Sequence, residues 1–261
     1  MNIFVCCKQV PDVEMNFSIK ENRLITEGLN FVLNAYDASA VEAALVLKET
    51  IDAEVSLVLL GEETGREALR KGLAMGADNA FHINDPALQN KDSHCFAGTL
   101  AKFFADKEYD LILCGKQSQD TDMGLTGGIL AGFLSIPFIT NAVGLTIEKG
   151  TGKVVIKRQG DLGVEMVESP LPSIVACSND MNEPRIPSLK GIMKSKRKPM
   201  EKLDLTALFP EGKLPEGVES RATVLSLAEP PVREAGERFE GTAEELVDIL
   251  IDKLQNEVKI L

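Results

Sequence analysis

The sequence predicts an α/β fold: a doubly wound, mainly parallel sheet of the Rossmann-like nucleotide-binding kind, with an antiparallel hairpin insertion and a C-terminal arm. Three observations lead there. Over the first 145 residues, short β-rich apolar runs alternate with longer segments of helical period, the pattern of parallel strands joined by covering helices. Between residues 145 and 167 the runs become short and alternating, separated by Gly150-Thr151-Gly152 and Gly160-Asp161, which reads as hairpins. From Phe209 to Gly241 the chain is rich in Pro, Gly and charge with little periodicity, as expected of an arm ordered by a partner surface.

Taken in order, residues 3–7 read as the first strand. A helix follows Asn34-Ala35-Tyr36-Asp37, in which Ser39 and Glu42 are spaced as a capping box and Val41, Ala44, Leu45 and Leu47 supply an apolar stripe. Residues 55–60 form the next strand, and Gly61 ends it. A helix over 64–75 closes on Gly76 before a strand over 80–83, and a helix over 92–105 precedes a strand over 110–114. After the polar run 116–122, a small-residue helix starts at Gly124 and runs to Leu134, and residues 138–143 complete the sheet. Residues 173–177 make a further strand, the proline-rich run 182–187 is not strand, and 189–199 is basic and partly helical. The last helix begins at Thr242, whose spacing to Glu245 makes a capping box, and buries Leu246, Ile249, Leu250 and Leu254. Residues 1–200 form the nucleotide-binding domain, including the hairpins and a loop over 182–199; residues 201–261 form the arm and a helix packed on a partner subunit.

Composition narrows the function. With 28 Lys+Arg against 40 Asp+Glu in 261 residues, the net charge of −12 argues against a nucleic-acid or anionic-membrane binder. The five cysteines, Cys6, Cys7, Cys95, Cys114 and Cys177, include no Cys-x-x-Cys pair, which implies reduced thiols in a cytoplasmic protein and no metal site. No apolar run is long enough to span a bilayer. Gly-x-Gly-x-x-Gly, Walker, His-Glu-x-x-His and Gly-x-Ser-x-Gly patterns are all missing. The two histidines, His82 and His94, have no nucleophile or base beside them and read as structural or surface residues.

What remains is a nucleotide site, because open parallel sheets bind ligands at the carboxyl ends of their strands. Cys6 to Lys8 follows the first strand, Leu60-Gly61 the second, Asn34, Ala35, Tyr36 and Asp37 precede a helix, and the segment Gly115 to Gly128 joins a strand to a helix. That helix start offers N–H groups and a positive dipole end to a phosphate, with Thr126 as hydroxyl donor and Gly124, Gly127 and Gly128 allowing close approach. The same glycines also fit a plain strand-to-helix turn. A basic run, Lys190, Lys194, Lys196, Arg197, Lys198 and Lys202, abuts the apolar Leu189, Ile192 and Met193; it reads either as a solvated face or as a docking patch for an acidic partner.

Several strings together resemble the β subunit of electron-transfer flavoprotein: Val5-Cys6-Cys7-Lys8-Gln9-Val10-Pro11-Asp12, Asn34-Ala35-Tyr36-Asp37, Gly72-Leu73-Ala74-Met75-Gly76-Ala77-Asp78, Gly115-Lys116-Gln117, and Asn182-Glu183-Pro184-Arg185 through Ile192-Met193-Lys194. The resemblance implies half of a heterodimer whose α subunit carries most of the FAD site. Such a pair passes electrons from flavin dehydrogenases, such as an acyl-CoA dehydrogenase, to a quinone oxidoreductase or other acceptor, as a carrier and not a stand-alone enzyme. It further implies AMP in the β pocket, or a second FAD in the NADH-dependent bifurcating type. By resemblance the nucleotide contacts fall on Cys6, on Asn34, Ala35, Tyr36 and Asp37, on Leu60, and on Gly115, Lys116, Gln117, Ser118, Gln119, Asp120, Thr121, Asp122, Met123, Gly124, Leu125 and Thr126. The family's recognition loop falls on residues 185–199, with Leu189 as anchor and Ile192, Met193, Lys194, Lys196, Arg197 and Lys198 around it. The family's Asn-Gln-Thr-Gly is here Gly124-Leu125-Thr126-Gly127, so two polar side chains are missing. A non-redox nucleotide-binding regulatory protein of the same fold is the other class.

Overall fold

The computed structural model describes residues 1–260 apart from 149, 230 and 232–234. Nine strands form one mixed sheet: β1 (Asn2–Cys7), β2 (Glu54–Leu60), β3 (Asn79–Ile83), β4 (Leu111–Gly115), β5 (Phe138–Ile147), β6 (Lys153–Gly160), β7 (Gly163–Pro170), β8 (Ser173–Cys177) and β9 (Met200–Leu203). Their order is β7-β6-β5-β8-β4-β1-β2-β3-β9. All neighbours from β5 to β9 pair in parallel, while β6 pairs antiparallel with β5 and with β7. This is the doubly wound architecture with its hairpin insertion.

The central strands are buried on both faces, which is why they read as near-continuous apolar runs. In β1, Ile3, Val5 and Cys7 enter one core layer and Phe4 the other. Helices α1 (Ala35–Thr50) and α2 (Gly65–Met75) cover the first layer. Helices α3 (Ser93–Phe104) and α4 (Thr126–Leu134) cover the second, where Phe4, Phe103 and Phe104 meet edge to face with centroids 5.1–6.1 Å apart. Three further helices follow, α5 (Leu189–Ser195), α6 (Leu205–Leu208) and α7 (Ala243–Asp252).

Several expectations need correction. Helix α1 begins at Ala35, so Ser39 and Glu42 lie inside it and are buried; they form no capping box, because Glu42 is taken by Arg185. The small-residue helix starts at Thr126, two residues after Gly124, whose φ of +61° belongs to the preceding turn. Residues 138–147 are one strand, not two. The arm does not leave the domain at Phe209: Leu205 and Phe209 are buried in the second layer, Leu208 and Leu214 pack against it, and Asp92 at the start of α3 accepts N–H bonds from Arg221 (2.6 Å) and Ala222 (2.7 Å). These contacts are isolated rather than periodic, so no pattern announced them. Beyond them, the α7 capping box of Thr242 and Glu245 is present, but α7 buries no side chain in this chain, and Leu250 is 56% exposed. All five cysteines are free, and no helix among the described residues is long and apolar enough to cross a membrane.

Candidate nucleotide crevice and docking patch

The chain passes from β1 to one side of the sheet through α1 and from β4 to the other side through α4, so the two connections part between β1 and β4. That parting leaves a crevice at their carboxyl ends, the place where doubly wound sheets bind ligands. Asp37, in the first turn of α1, closes its floor. One carboxylate oxygen accepts the Lys8 N–H (2.7 Å) and the other the Gly115 N–H (2.9 Å), joining the ends of β1 and β4. Burial pushes the Asp37 carboxyl up to about 7, against the pull of these bonds. A Cβ at Gly115 would stand 2.4 Å from Asp37 Oδ1 and 2.7 Å from Tyr36 Cβ, so only glycine fits between them.

The loop from Lys116 to Leu125 is tied down by its own polar groups. Asn34 donates to Gln117 O (2.9 Å) and accepts from Gln119 N (3.2 Å), and Gln119 Oε1 accepts the Ala35 N–H (3.1 Å), capping α1. Lys8 Nζ holds Asp120 (2.7 Å) and Ser118 (3.2 Å); Gln117 donates to Asp122 (2.7 Å), and Ser118 and Thr121 share a hydrogen bond (3.0 Å). Lys116 N–H donates to Cys177 O (2.8 Å). Met123 and Leu125 are about half exposed, at 50% and 51%. With α1 capped from within the protein, the first turn of α4 is the terminus left uncapped, where the half-buried Thr126, Gly127 and Gly128 present N–H groups without intrahelical acceptors.

The structure thus gathers Cys6, Asn34, Ala35, Tyr36, Asp37 and the loop 115–126 at one end of the sheet, with Leu60 ending the strand next to β1. It reassigns two glycines. A Cβ at Gly127 would lie 2.8 Å from Cys114 Sγ, and one at Gly128 3.3 Å from Phe138, so both let α4 close onto the sheet. Lys8, in the segment after β1 that the sequence places at this end of the sheet, latches the loop.

The basic segment is a second, separate feature, built on α5. Leu189 (77% exposed), Ile192 and Met193 face outward, as do Lys194, Lys196 and Arg197. Lys198 does not belong with these charges: its ammonium donates to Leu73 O (3.0 Å) and Ala77 O at the end of α2. Lys202 is likewise paired, with Glu63 (2.6 Å). Ile186, overlooked in the sequence, is 92% exposed and extends the apolar patch. Both histidines are structural: buried His82 bonds Glu62 O and His94 bonds Glu219 O in the arm, each at 3.0 Å. Among the described residues no group of side chains could hold a metal ion.

The electron transfer flavoprotein domain family matches residues 22–208. The chain belongs to that family. It is similar over its whole length to the electron transfer flavoprotein subunit beta of Bacillus subtilis (34% identical, all of both chains) and to that of Megasphaera elsdenii (34%, 97% of this chain and 98% of the relative). It is also 36% identical to the caffeyl-CoA reductase-Etf complex subunit CarD of Acetobacterium woodii, over 98% of each chain. The resemblance carried by the motifs at the strand ends is therefore that of a β subunit of the electron transfer flavoprotein family, and the exposed apolar side chains of α5 and α7 belong to a chain of that kind.

Proposed function

We propose that this chain is the β half of a heterodimeric electron transfer flavoprotein in the cytoplasm, pairing with an α subunit and holding AMP in the β1/β4 crevice. The observation that carries the reading is the crevice: a sheet-end cleft at the point where the connections part, with one helix N-terminus capped internally and the other left to meet an anion. The residues present fit a phosphate. The N–H groups of Thr126, Gly127 and Gly128 and the Thr126 hydroxyl bind it, while Lys8, Asn34, Gln119 and Asp120 hold the loop that shapes the site. An FAD shared with the α subunit supplies the redox chemistry when bound. The α5 patch docks the electron donor, a flavin dehydrogenase of the acyl-CoA class, and a quinone oxidoreductase or other acceptor takes the electrons. The apolar side chains of α7 and the outer arm, including Leu225 at 88% exposed, meet the α subunit.

The name of the CarD relative, a subunit of a reductase-Etf complex, favours a second reading. In it this chain serves a bifurcating, NADH-dependent complex and the crevice holds a second FAD. Co-purification with the α subunit, a visible spectrum and extraction of the bound nucleotides separate the readings. One FAD and one AMP per pair support the first, and two FAD support the second. A pair without flavin leaves only a nucleotide-binding regulatory protein. Thr126→Val weakens the crevice ligand by about 1–3 kcal/mol, measured by calorimetry, where the hydroxyl meets a charged oxygen.

A further inference from the structure

We propose that Arg185 is the positioning residue of the docking patch, clamping residues 182–186 to α1 so that Ile186 and Leu189 are presented as one preformed apolar pair. The proposal rests on the docking reading of α5. From residue 182 to 194 no side chain is buried, so apolar burial does not order this segment. Ordering it nevertheless costs backbone entropy that some other interaction must offset. Polar clamps at its two ends are what the structure supplies.

At the first end, Arg185 meets Glu42 with a fork. Its Nε donates to Oε2 and its Nη2 to Oε1, both at 2.8 Å, and its backbone N–H adds a bond to Oε2 at 3.0 Å. Nη1 reaches Glu49 one helical stretch further along α1 (2.7 Å), and Asn182 donates to Ser39 O (3.0 Å). Burial works against the Glu42 carboxylate, yet the hydrogen bonds and charge of Arg185 hold it below the usual carboxylate range. At the second end, Arg70 on α2 donates to Ser195 O, and Lys198 returns its ammonium to α2. Between the clamps, a Cβ at Gly191 would stand 2.4 Å from Ala74 O, so α5 lies directly on the α2 backbone, and Ser188 caps it through Gly191 N (3.0 Å). Ile186 directly follows the clamp residue, and only Pro187 and Ser188 separate it from Leu189. Arg185 therefore sets where the two anchors stand before any partner arrives, and a preformed anchor spares the ordering cost at binding.

The test uses the complex co-expressed with its flavin-bearing partner subunit and an acyl-CoA dehydrogenase, reduced by its own substrate, as donor. Arg185→Gln raises the donor KM roughly tenfold and leaves kcat within about twofold, because presentation is lost and chemistry is not. Arg185→Lys, which keeps the charge without the fork, falls between parent and Gln. The Arg185→Gln/Leu189→Ala double variant is no worse than the weaker single by more than about twofold, since both act through one anchor. A KM for Arg185→Gln equal to that of the parent, with Leu189→Ala impaired, overturns the proposal alone. Additive effects in the double variant overturn it as well. A Leu189→Ala variant that transfers electrons like the parent overturns the docking reading, and the proposal with it. Should Arg185→Gln fail to fold, Arg185→Lys and Glu49→Gln carry the test, the latter removing only the outer bond; an unchanged KM in both overturns the proposal.

Discussion

The crevice loop of residues 115–126 and the docking segment of residues 182–198 are built on the same plan and end in opposite chemistry. Neither has an interior of its own, and each is pinned to neighbouring helices by polar side chains. In the loop, Lys8 pairs with Asp120, Gln117 with Asp122, Asn34 with the backbone of Gln117 and Gln119, and Gln119 with the Ala35 N–H, which leaves backbone N–H groups of α4 free. In the docking segment, Arg185, Arg70 and Lys198 satisfy carboxylates and carbonyls and leave Ile186, Leu189 and Met193 free. The difference teaches that the groups left without partners, rather than those in the pinning network, set what a surface can offer: N–H donors in the first region and apolar side chains in the second.

The comparison breaks most severely at Gly115. Gly115→Val forces a side chain into Asp37 and Tyr36 and costs about 4 kcal/mol or more, read as a lower urea midpoint, with loss of any crevice ligand. An equally large volume change at Gly132, where an added Cβ meets nothing within 4 Å, serves as the control.

The next effect is a pH dependence centred on Asp37. Its carboxyl is raised by burial to about 7 in the folded chain, against 3.8 without burial, so the native state holds the proton longer than the unfolded state. Stability therefore falls as pH rises between about 4 and 7 and is level above that window. The Asp37 contribution is on the order of 4 kcal/mol at about 1.4 kcal/mol per pKa unit. Denaturant titrations at several pH values show this slope in the parent, and Asp37→Asn flattens it.

A smaller effect separates the two lysines of the docking segment. Lys198→Met leaves carbonyls of α2 without their donor and costs about 1–2 kcal/mol of stability. Lys196→Met changes stability by less than about 0.5 kcal/mol, because the exposed Lys196 lies outside the pinning network. In donor assays the order reverses with ionic strength: Lys196→Glu impairs transfer at low salt and loses most of its effect at high salt, where screening is short-ranged. Smallest in stability is Leu189→Ala, within about 0.5 kcal/mol by thermal melt, although it slows transfer from the donor at every ionic strength.

The local features were determined by the sequence itself. Strand cores, the α2 and α3 stripes, the α7 capping box and the strand-end positions of the candidate nucleotide residues all follow from periodicity and short-range spacing, which report whether a side chain is buried and which neighbour three or four residues away it meets. Only the tertiary structure decided the long-range partners. The Ser39–Glu42 spacing imitates a cap until Arg185, 143 residues away, claims the carboxylate. The Gly127 and Gly128 pair reads equally as a phosphate turn or a plain strand-to-helix turn until Cys114 and Phe138 are seen to need the space of their missing side chains. Lys198 counts as one more surface charge until α2 offers it two carbonyls, and Ile186 goes unnoticed until no neighbour covers it. A charged or small residue carries no periodic mark of its partner, because the pairing energy depends on what the fold brings within about 3 Å rather than on its place along the chain.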